Sequence, residues 1–417
     1  MPKTLTPELR KAPNRTARST FLLLGPAFVA AIAYVDPGNV AANLTAGARY
    51  GYLLLWVLIV ANAIAVLVQY QSAKLGLVTG RSLPELLGER LKTGPRRAYW
   101  AQAELVAAAT DIAEVLGGAI ALNLLFGVPL LAGGVIVGIA SMILLLVQSR
   151  RSQRSFEGVI ITLLAVILVG FVSGLFFSNI DGGEVLAGIV PRFEGTDSLL
   201  LASSMLGATV MPHVIYLHSA LARDRHGVID DRSVIRRLLA ATRWDVGIAL
   251  FFAGAINISM LVLAAASLRG VEGTDTIDGA HTAIVSALGP VIGVIFAVGL
   301  LASGLASTSV GTYAGSVIMG GLLKVRIPLL VRRVVTLIPA LVVLGIGFDP
   351  TRALVLSQVV LSFGIPFALI PLVRLASSKK LMGEFANATW LRWAGWICSV
   401  LIVAINVVLI TLVIVGV

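Results

Sequence analysis

From Phe21 onward the chain alternates long apolar runs with short polar connections, and the runs are long enough to cross a bilayer as helices. Eleven spans are expected, at about 21–47, 52–78, 99–126, 129–148, 157–178, 199–222, 244–268, 281–320, 331–347, 352–373 and 393–416. The eighth is too long for one crossing, which predicts a kink or an interfacial turn near Gly304 or Gly311. Two spans carry interruptions that hydrocarbon does not tolerate. Asp36-Pro37-Gly38-Asn39 lies inside the first, where Pro37 deprives the Ala33 carbonyl of its helical donor and Gly38 admits angles that helices avoid. Ala208-Thr209-Val210-Met211-Pro212-His213 lies inside the sixth, where Pro212 frees the Ala208 carbonyl in the same way.

The positions of these breaks organise the chain. Irregular backbone at membrane depth survives only where protein or a water-filled cavity covers it, and paired breaks in corresponding spans point to the substrate site of an inverted-repeat transporter. If the N-terminus is cytoplasmic, 28 of the 32 Lys and Arg residues fall on the inside, leaving Arg49, Arg192, Arg269 and Arg352 outside. This asymmetry supports eleven helices with the N-terminus in and the C-terminus out. Five helices per half is an odd number, so the second half must enter the membrane the other way up. The expected fold is an all-α membrane protein with a 5+5 inverted repeat, broken helices one and six, and an added eleventh helix. Its parts would be a tail over 1–20, a first repeat over 21–198, a second over 199–375, and a loop with the last helix over 376–417.

Composition narrows the class further. With 58% hydrophobic and 13% charged residues, the 417-residue chain is far more apolar than a soluble domain, and its net charge of +11 comes from topology-setting loops, not a nucleic-acid surface. The single cysteine, Cys398, excludes an internal disulfide and any multi-cysteine metal site. The N-terminus imitates a signal peptide with small residues near Ala31-Ile32-Ala33. An uncleaved first helix is the preferred reading, since cleavage there would cut beside Asp36. The expected location is a prokaryotic plasma (inner) membrane, crossed many times, with no obligate protein partner implied.

The breaks gather the Asp36 carboxylate, the Asn39 amide oxygen, the Ala208 carbonyl and the Met211 thioether. Three hard oxygens and one soft sulfur suit a divalent transition metal, and the thioether disfavours Mg²⁺ and Ca²⁺, which gain little from sulfur. Such a site does not by itself choose Mn²⁺ over Fe²⁺, Co²⁺ or Cd²⁺. Glu104, Asp111 and Glu114, spaced by seven and three, share one stripe of the third helix and read as a proton relay or polar conduit. Arg332 and Arg333 at the start of the ninth helix are either their partners or simple topology anchors. His213, directly after Pro212, is a candidate proton carrier, while His218 reads as a satisfied buried histidine. Gln358 and Asn257 are placed to bond a neighbouring helix, and Gln358 also to reach the metal.

Asp36-Pro37-Gly38-Asn39 together with Met211-Pro212-His213-Val214-Ile215-Tyr216-Leu217-His218-Ser219 resembles the Nramp family of proton-coupled divalent metal transporters. Thr110-Asp111-Ile112-Ala113-Glu114, Ala302-Ser303-Gly304-Leu305-Ala306-Ser307 and Ser357-Gln358 extend the likeness over nearly the whole chain. The resemblance implies a LeuT-like fold, metal held by Asp36, Asn39, Met211 and the Ala208 carbonyl, and Gln358 completing the shell. It also implies a proton route through Asp36, His213, Glu104, Asp111, Glu114, Arg332 and Arg333. Retention of Met211 points to the Mn²⁺ and Fe²⁺ branch, with the ions as cargo and no cofactor. Two other classes share parts of this pattern. An amino-acid/cation symporter of the same fold would place a substrate carboxylate beside Asp36, which repels it. An intramembrane metalloenzyme would need a histidine or carboxylate metal set that the spacing does not supply.

Overall fold

The computed structural model describes residues 25–150, 153–274, 276–325 and 327–415, and among them there is no strand. The tail expected over residues 1–20 and the start of the first span at Phe21 lie outside the described residues.

The first span is broken where Pro37 predicts. Helix α1 (Pro26–Ile32) tightens into a 3₁₀ turn over Ala33–Val35, and α2 (Pro37–Tyr50) starts afresh with Asp36 as its N-cap. Next come α3 (Leu55–Thr79), the short α4 (Leu83–Arg90), α5 (Thr93–Phe126), α6 (Leu130–Arg150) and α7 (Gln153–Val172). A short α8 (Gly182–Ala187) leads to the second broken span, α9 (Gly195–Thr209) and α10 (Pro212–His226). The remainder is α11 (Arg232–Ser267), α12 (Ile277–Leu288), α13 (Pro290–Leu322), α14 (Leu329–Gly345), α15 (Pro350–Ala376), α16 (Lys379–Met382) and α17 (Thr389–Val415). Eight spans satisfy both the length and the hydropathy of a membrane-crossing helix among the described residues. Of the other three, the first is divided by its break, the fourth has a short apolar core at Leu130–Leu144, and the ninth, α14, has 17 residues.

The eighth span corrects the sequence reading. It does divide, but at Gly289, whose φ of +94° suits glycine, followed by Pro290 at the first position of α13. Helix α13 runs unbroken through Gly304 and Gly311. Those glycines serve close packing on α5: a Cβ on Gly304 would lie 3.0 Å from the Glu114 carbonyl oxygen, and one on Gly311 would lie 3.0 Å from Glu114 Oε1.

The packing partners of the two halves match when the halves are exchanged. Helix α2 packs on α11 as α10 packs on α3, and α1 meets α11 as α9 meets α3. Likewise α13 lies on α7 as α5 lies on α15, while α5 with α13 and α6 with α14 are pairs that the exchange leaves in place. This is the pattern a two-fold repeat must produce, and it holds although the halves share no visible sequence likeness. Helix α17 packs on the outside of this unit, against α15 and α9.

Candidate metal site

Each break leaves backbone groups without helical partners, and the surrounding side chains show where those groups go. At the first break, Asp36 Oδ1 accepts the Asn39 backbone N–H at 2.8 Å and the Asn39 side-chain amide at 2.7 Å, fastening the start of α2. The Tyr34 carbonyl accepts from Asn257 Nδ2 at 2.7 Å, and the Val35 carbonyl from Ser303 Oγ at 2.5 Å. Asn257 is itself steadied by Asn43, whose amide donates to its Oδ1 at 3.0 Å.

At the second break, α9 closes with Val210 N–H on the Leu206 carbonyl, and Met211, in extended conformation, is the N-cap of α10. The Ala208 carbonyl freed by Pro212 accepts the Asn39 amide at 3.0 Å, so one asparagine links the two breaks. Gln358 on α15 comes down on the first break: a Cβ on Gly38 would sit 1.9 Å from its Nε2, so Gln358 keeps this position only over glycine. Helix α5 approaches equally closely, since a Cβ on Gly117 would lie 2.0 Å from that of Pro37.

Asp36, Asn39, Met211 and Gln358 are all 0% exposed. Three of their oxygens, Asp36 Oδ2, Asn39 Oδ1 and Gln358 Oε1, are buried without a hydrogen-bond partner. Buried acceptors are nearly always paired, so three unpaired ones on residues at the break make a candidate donor set for a cation. No group of three His, Cys, Asp or Glu that could hold a metal occurs among the described residues. The candidate set is therefore one carboxylate with amide, carbonyl and thioether donors. Toward the C-terminal end of α2, a cavity of about 600 Å³ is lined by Thr45, Arg49, Asp197, Asp349 and Arg352, among others.

A line of charge runs along α5 away from the break. Glu114, one turn from Gly117, is fully buried, and neither carboxylate oxygen has a partner. Asp111 Oδ1 accepts Arg333 Nη1 at 3.0 Å, and Arg333 Nε donates to Ser141 at 2.8 Å. Glu104 receives Arg332 in a bidentate pair at 2.7 and 3.1 Å. Arg332 and Arg333, 4% and 0% exposed, are thus built into the protein, which favours the partner reading over that of interfacial anchors. From Glu114 to Glu104 the helix rises about 15 Å. His213 Nδ1 stands 3.4 Å from Thr110 Oγ1, and its Nε2 has no partner. His218 is satisfied, as expected, by Gln69 Oε1 at 2.8 Å, and Gln69 in turn donates to the Tyr34 hydroxyl.

Sequence reasoning passed over Ser303, Asn43, Thr110 and Ser141 as site supports. The signal was available for Ser303: carbonyls freed by a break need donors, and hydroxyls in the neighbouring spans are the cheapest source. Asp245 was also missed. It is 3% exposed and caps the start of α1, its two oxygens accepting the Gly25 and Ala27 N–H groups at 3.0 Å each.

Comparison with known proteins identifies the family and the fold. Residues 27–412 match the family model Nramp, described as natural resistance-associated macrophage protein-like. The chain is 58% identical over 409 residues to the divalent metal cation transporter MntH of Mycobacterium tuberculosis, covering 98% of this chain and 96% of that protein. The crystal structure of the manganese transporter of Eremococcus coleocola, in a mutant form, superposes with a TM-score of 0.86 at 30% identity, over 95% of this chain and 88% of that one. MhsT in complex with L-phenylalanine shares the fold alone, at a TM-score of 0.62 and 15% identity, over 91% and 98% of the two chains. The fold is thus LeuT-like, and with a family match spanning both breaks and every helix that flanks them, this chain belongs to the Nramp family.

Proposed function

We propose that the chain imports divalent transition metal ions, Mn²⁺ and also Fe²⁺, Co²⁺ and Cd²⁺, together with protons, by alternating access. The observation that carries this reading is the trio of buried, unpartnered oxygens on Asp36, Asn39 and Gln358 beside the Ala208 carbonyl and Met211. Asp36 Oδ2 supplies the charge, Asn39, Gln358 and Ala208 supply neutral oxygens, and the Met211 thioether selects against abundant hard cations. The names of relatives, a divalent metal cation transporter and a manganese transporter, support the same class. An amino-acid substrate, such as the one bound by MhsT, fits poorly because its carboxylate would face Asp36 Oδ2.

The proton reading rests on Glu114 and the ion pairs beyond it. A proton first held at Asp36 or His213 passes to Glu114 and on to Asp111 and Glu104, where Arg333 and Arg332 keep the carboxylates oriented. The membrane potential assists, because a divalent ion entering through roughly 100 mV gains about 4.6 kcal/mol.

The test is Mn²⁺ uptake into proteoliposomes holding a metal-quenched dye and a pH dye, wild type beside Asp36→Ala. Uptake that acidifies the lumen and is absent in the variant is the expected result. Uptake without acidification would remove the proton from the cycle, and uptake surviving the substitution would move the metal elsewhere.

A further inference from the structure

A groove far from the metal site carries unneutralised charge. It lies between α3, α11 and the segment entering α17, has a volume of about 670 Å³, and is lined by Lys74 and Arg243, both close to the Tyr70 ring. Lys74 Nζ is 5.9 Å from the ring centroid and the Arg243 guanidinium 5.4 Å, both within cation–π reach. Lys74 is only 4% exposed and donates to Asn387 Oδ1 at 2.5 Å, while Arg243 Nε meets the Tyr70 hydroxyl at 3.3 Å. Among the described residues neither cation has a carboxylate partner. The one carboxylate in the groove, Glu384, is already taken by Arg236 at 2.7 Å and Arg232 at 3.6 Å. A nearly buried ammonium with no counter-charge is costly, and the cost falls if a ligand brings the anion.

The rest of the groove says which anion. Below Tyr70 the wall turns apolar, through Leu67, Val66 and Ala63 on α3 and Val246 on α11. From Lys74 down to Ala63 the helix spans about 16 Å, close to half of a roughly 30 Å hydrocarbon core. Trp390 and Trp244, 69% and 68% exposed, stand at the charged end, the level at which tryptophan marks the membrane interface. On the other side of Arg243, Gly247, Phe251 and Phe252 border a second cavity of about 730 Å³. We infer that this groove binds an anionic glycerophospholipid, with its phosphate between Lys74 and Arg243 and its acyl chains along the apolar walls. A free phosphate would use only the charged end of this surface and leave the apolar walls unused. The end concerned is the one rich in loop arginines, and the cytoplasmic leaflet is where anionic lipid would meet it. That assignment rests on the loop-charge topology. The binding itself does not, since nanodiscs and micelles offer both faces.

The experiment is native mass spectrometry of the full chain released from micelles with equal amounts of dioleoyl phosphatidylglycerol and phosphatidylcholine. Wild type should retain phosphatidylglycerol preferentially, and Lys74→Gln and Arg243→Gln should each lower that retention about fivefold. Equal retention of both lipids, or unchanged retention in Arg243→Gln, would overturn the proposal. Because Lys74 is buried and its variant is at risk of misfolding, the exposed Arg243 carries the decision, with circular dichroism as the check on folding. A second readout is tryptophan quenching by acyl-brominated phosphatidylglycerol in excess of brominated phosphatidylcholine. Trp390→Phe should remove part of that excess, and no change would count against the site. Thermal protection by inorganic phosphate alone, equal to that by the lipid, would assign the cations to a free anion and end the lipid reading.

Discussion

The two helix breaks arise from the same proline chemistry and yet are finished differently. The first carries a charge, caps its own outgoing helix through Asp36, and has the Tyr34 and Val35 carbonyls taken up by Asn257 and Ser303. The second carries no charge, has no side-chain cap at Met211, and hands its Ala208 carbonyl to an amide from the first. Their far ends differ as well. Helix α1 is clasped by the buried carboxylate of Asp245, whereas α10 is tied through Arg223 to the half-exposed Glu85 on α4. For the proposed metal site the difference would separate two tasks: the first break would hold the charge, and the second would supply soft and neutral donors, one of them already tied to the first through Asn39.

The contrast breaks most directly at Asp36. Asp36→Asn keeps an oxygen for the α2 cap while removing the charge, and Mn²⁺ uptake is expected to fall by about a hundredfold or more, beyond the range typical of supporting residues. Transport within a few-fold of wild type would show that the charge is not what the first break contributes. Gly38→Ala tests whether the holder is rigid. The new Cβ would fall 1.9 Å from Gln358 Nε2, so Gln358 must swing away, and uptake should drop about tenfold or more with the fold retained. Met211→Ala probes the second break alone. Mn²⁺ uptake should decline by about tenfold at most, while competition by Ca²⁺, measured in the same vesicles, rises; unchanged competition would remove sulfur from the selectivity argument.

Smaller effects concern the supports. Ser303→Ala leaves the Val35 carbonyl buried without a donor, a cost of about 1–3 kcal/mol, read as a lower midpoint of thermal unfolding in detergent. A midpoint equal to wild type would mean that the first break does not need this donor. The smallest effect is at Glu85. Burial pushes its pKa up, but the Ser82 N–H and the Arg223 guanidinium more than offset this, and the value lies below that of an ordinary glutamate. A depressed carboxylate contributes stability that is complete above its unfolded pKa and is lost as pH falls through the folded one. Wild type and Glu85→Gln should therefore keep a constant difference in thermal midpoint from pH 8 to pH 6, taken as bracketing neutrality, and converge only below about pH 4.3. Convergence near neutrality would assign the tie to another group.

The breaks themselves were legible because proline and aspartate within apolar runs are visible one residue at a time. The pairing of Arg332 with Glu104 and of Arg333 with Asp111 was legible only as an option, since periodicity places the acids on a stripe but does not say which helix faces it. The turn at Gly289-Pro290 was misplaced for a different reason: hydropathy registers polarity, and a glycine–proline turn within an apolar run leaves that signal unchanged even though the dipeptide is itself a turn marker. The hydroxyl and amide supports, Ser303, Thr110 and Asn43, escaped because small polar residues are common in membrane helices and acquire meaning only once the carbonyl that each must reach is known. The exchange of packing partners between halves needed three dimensions altogether, because it resides in contacts and not in residue identity.

A carrier must be loaded and emptied over and over without its scaffold coming undone, and Asp36 shows how one side chain can meet both demands. Its Oδ1 is spent on holding the first turn of α2, while its Oδ2 is bonded to nothing. Under the function proposed above, cargo and protons would come and go at the second oxygen while the first stays fastened, so the wear of each cycle would fall on an atom that the architecture does not lean on.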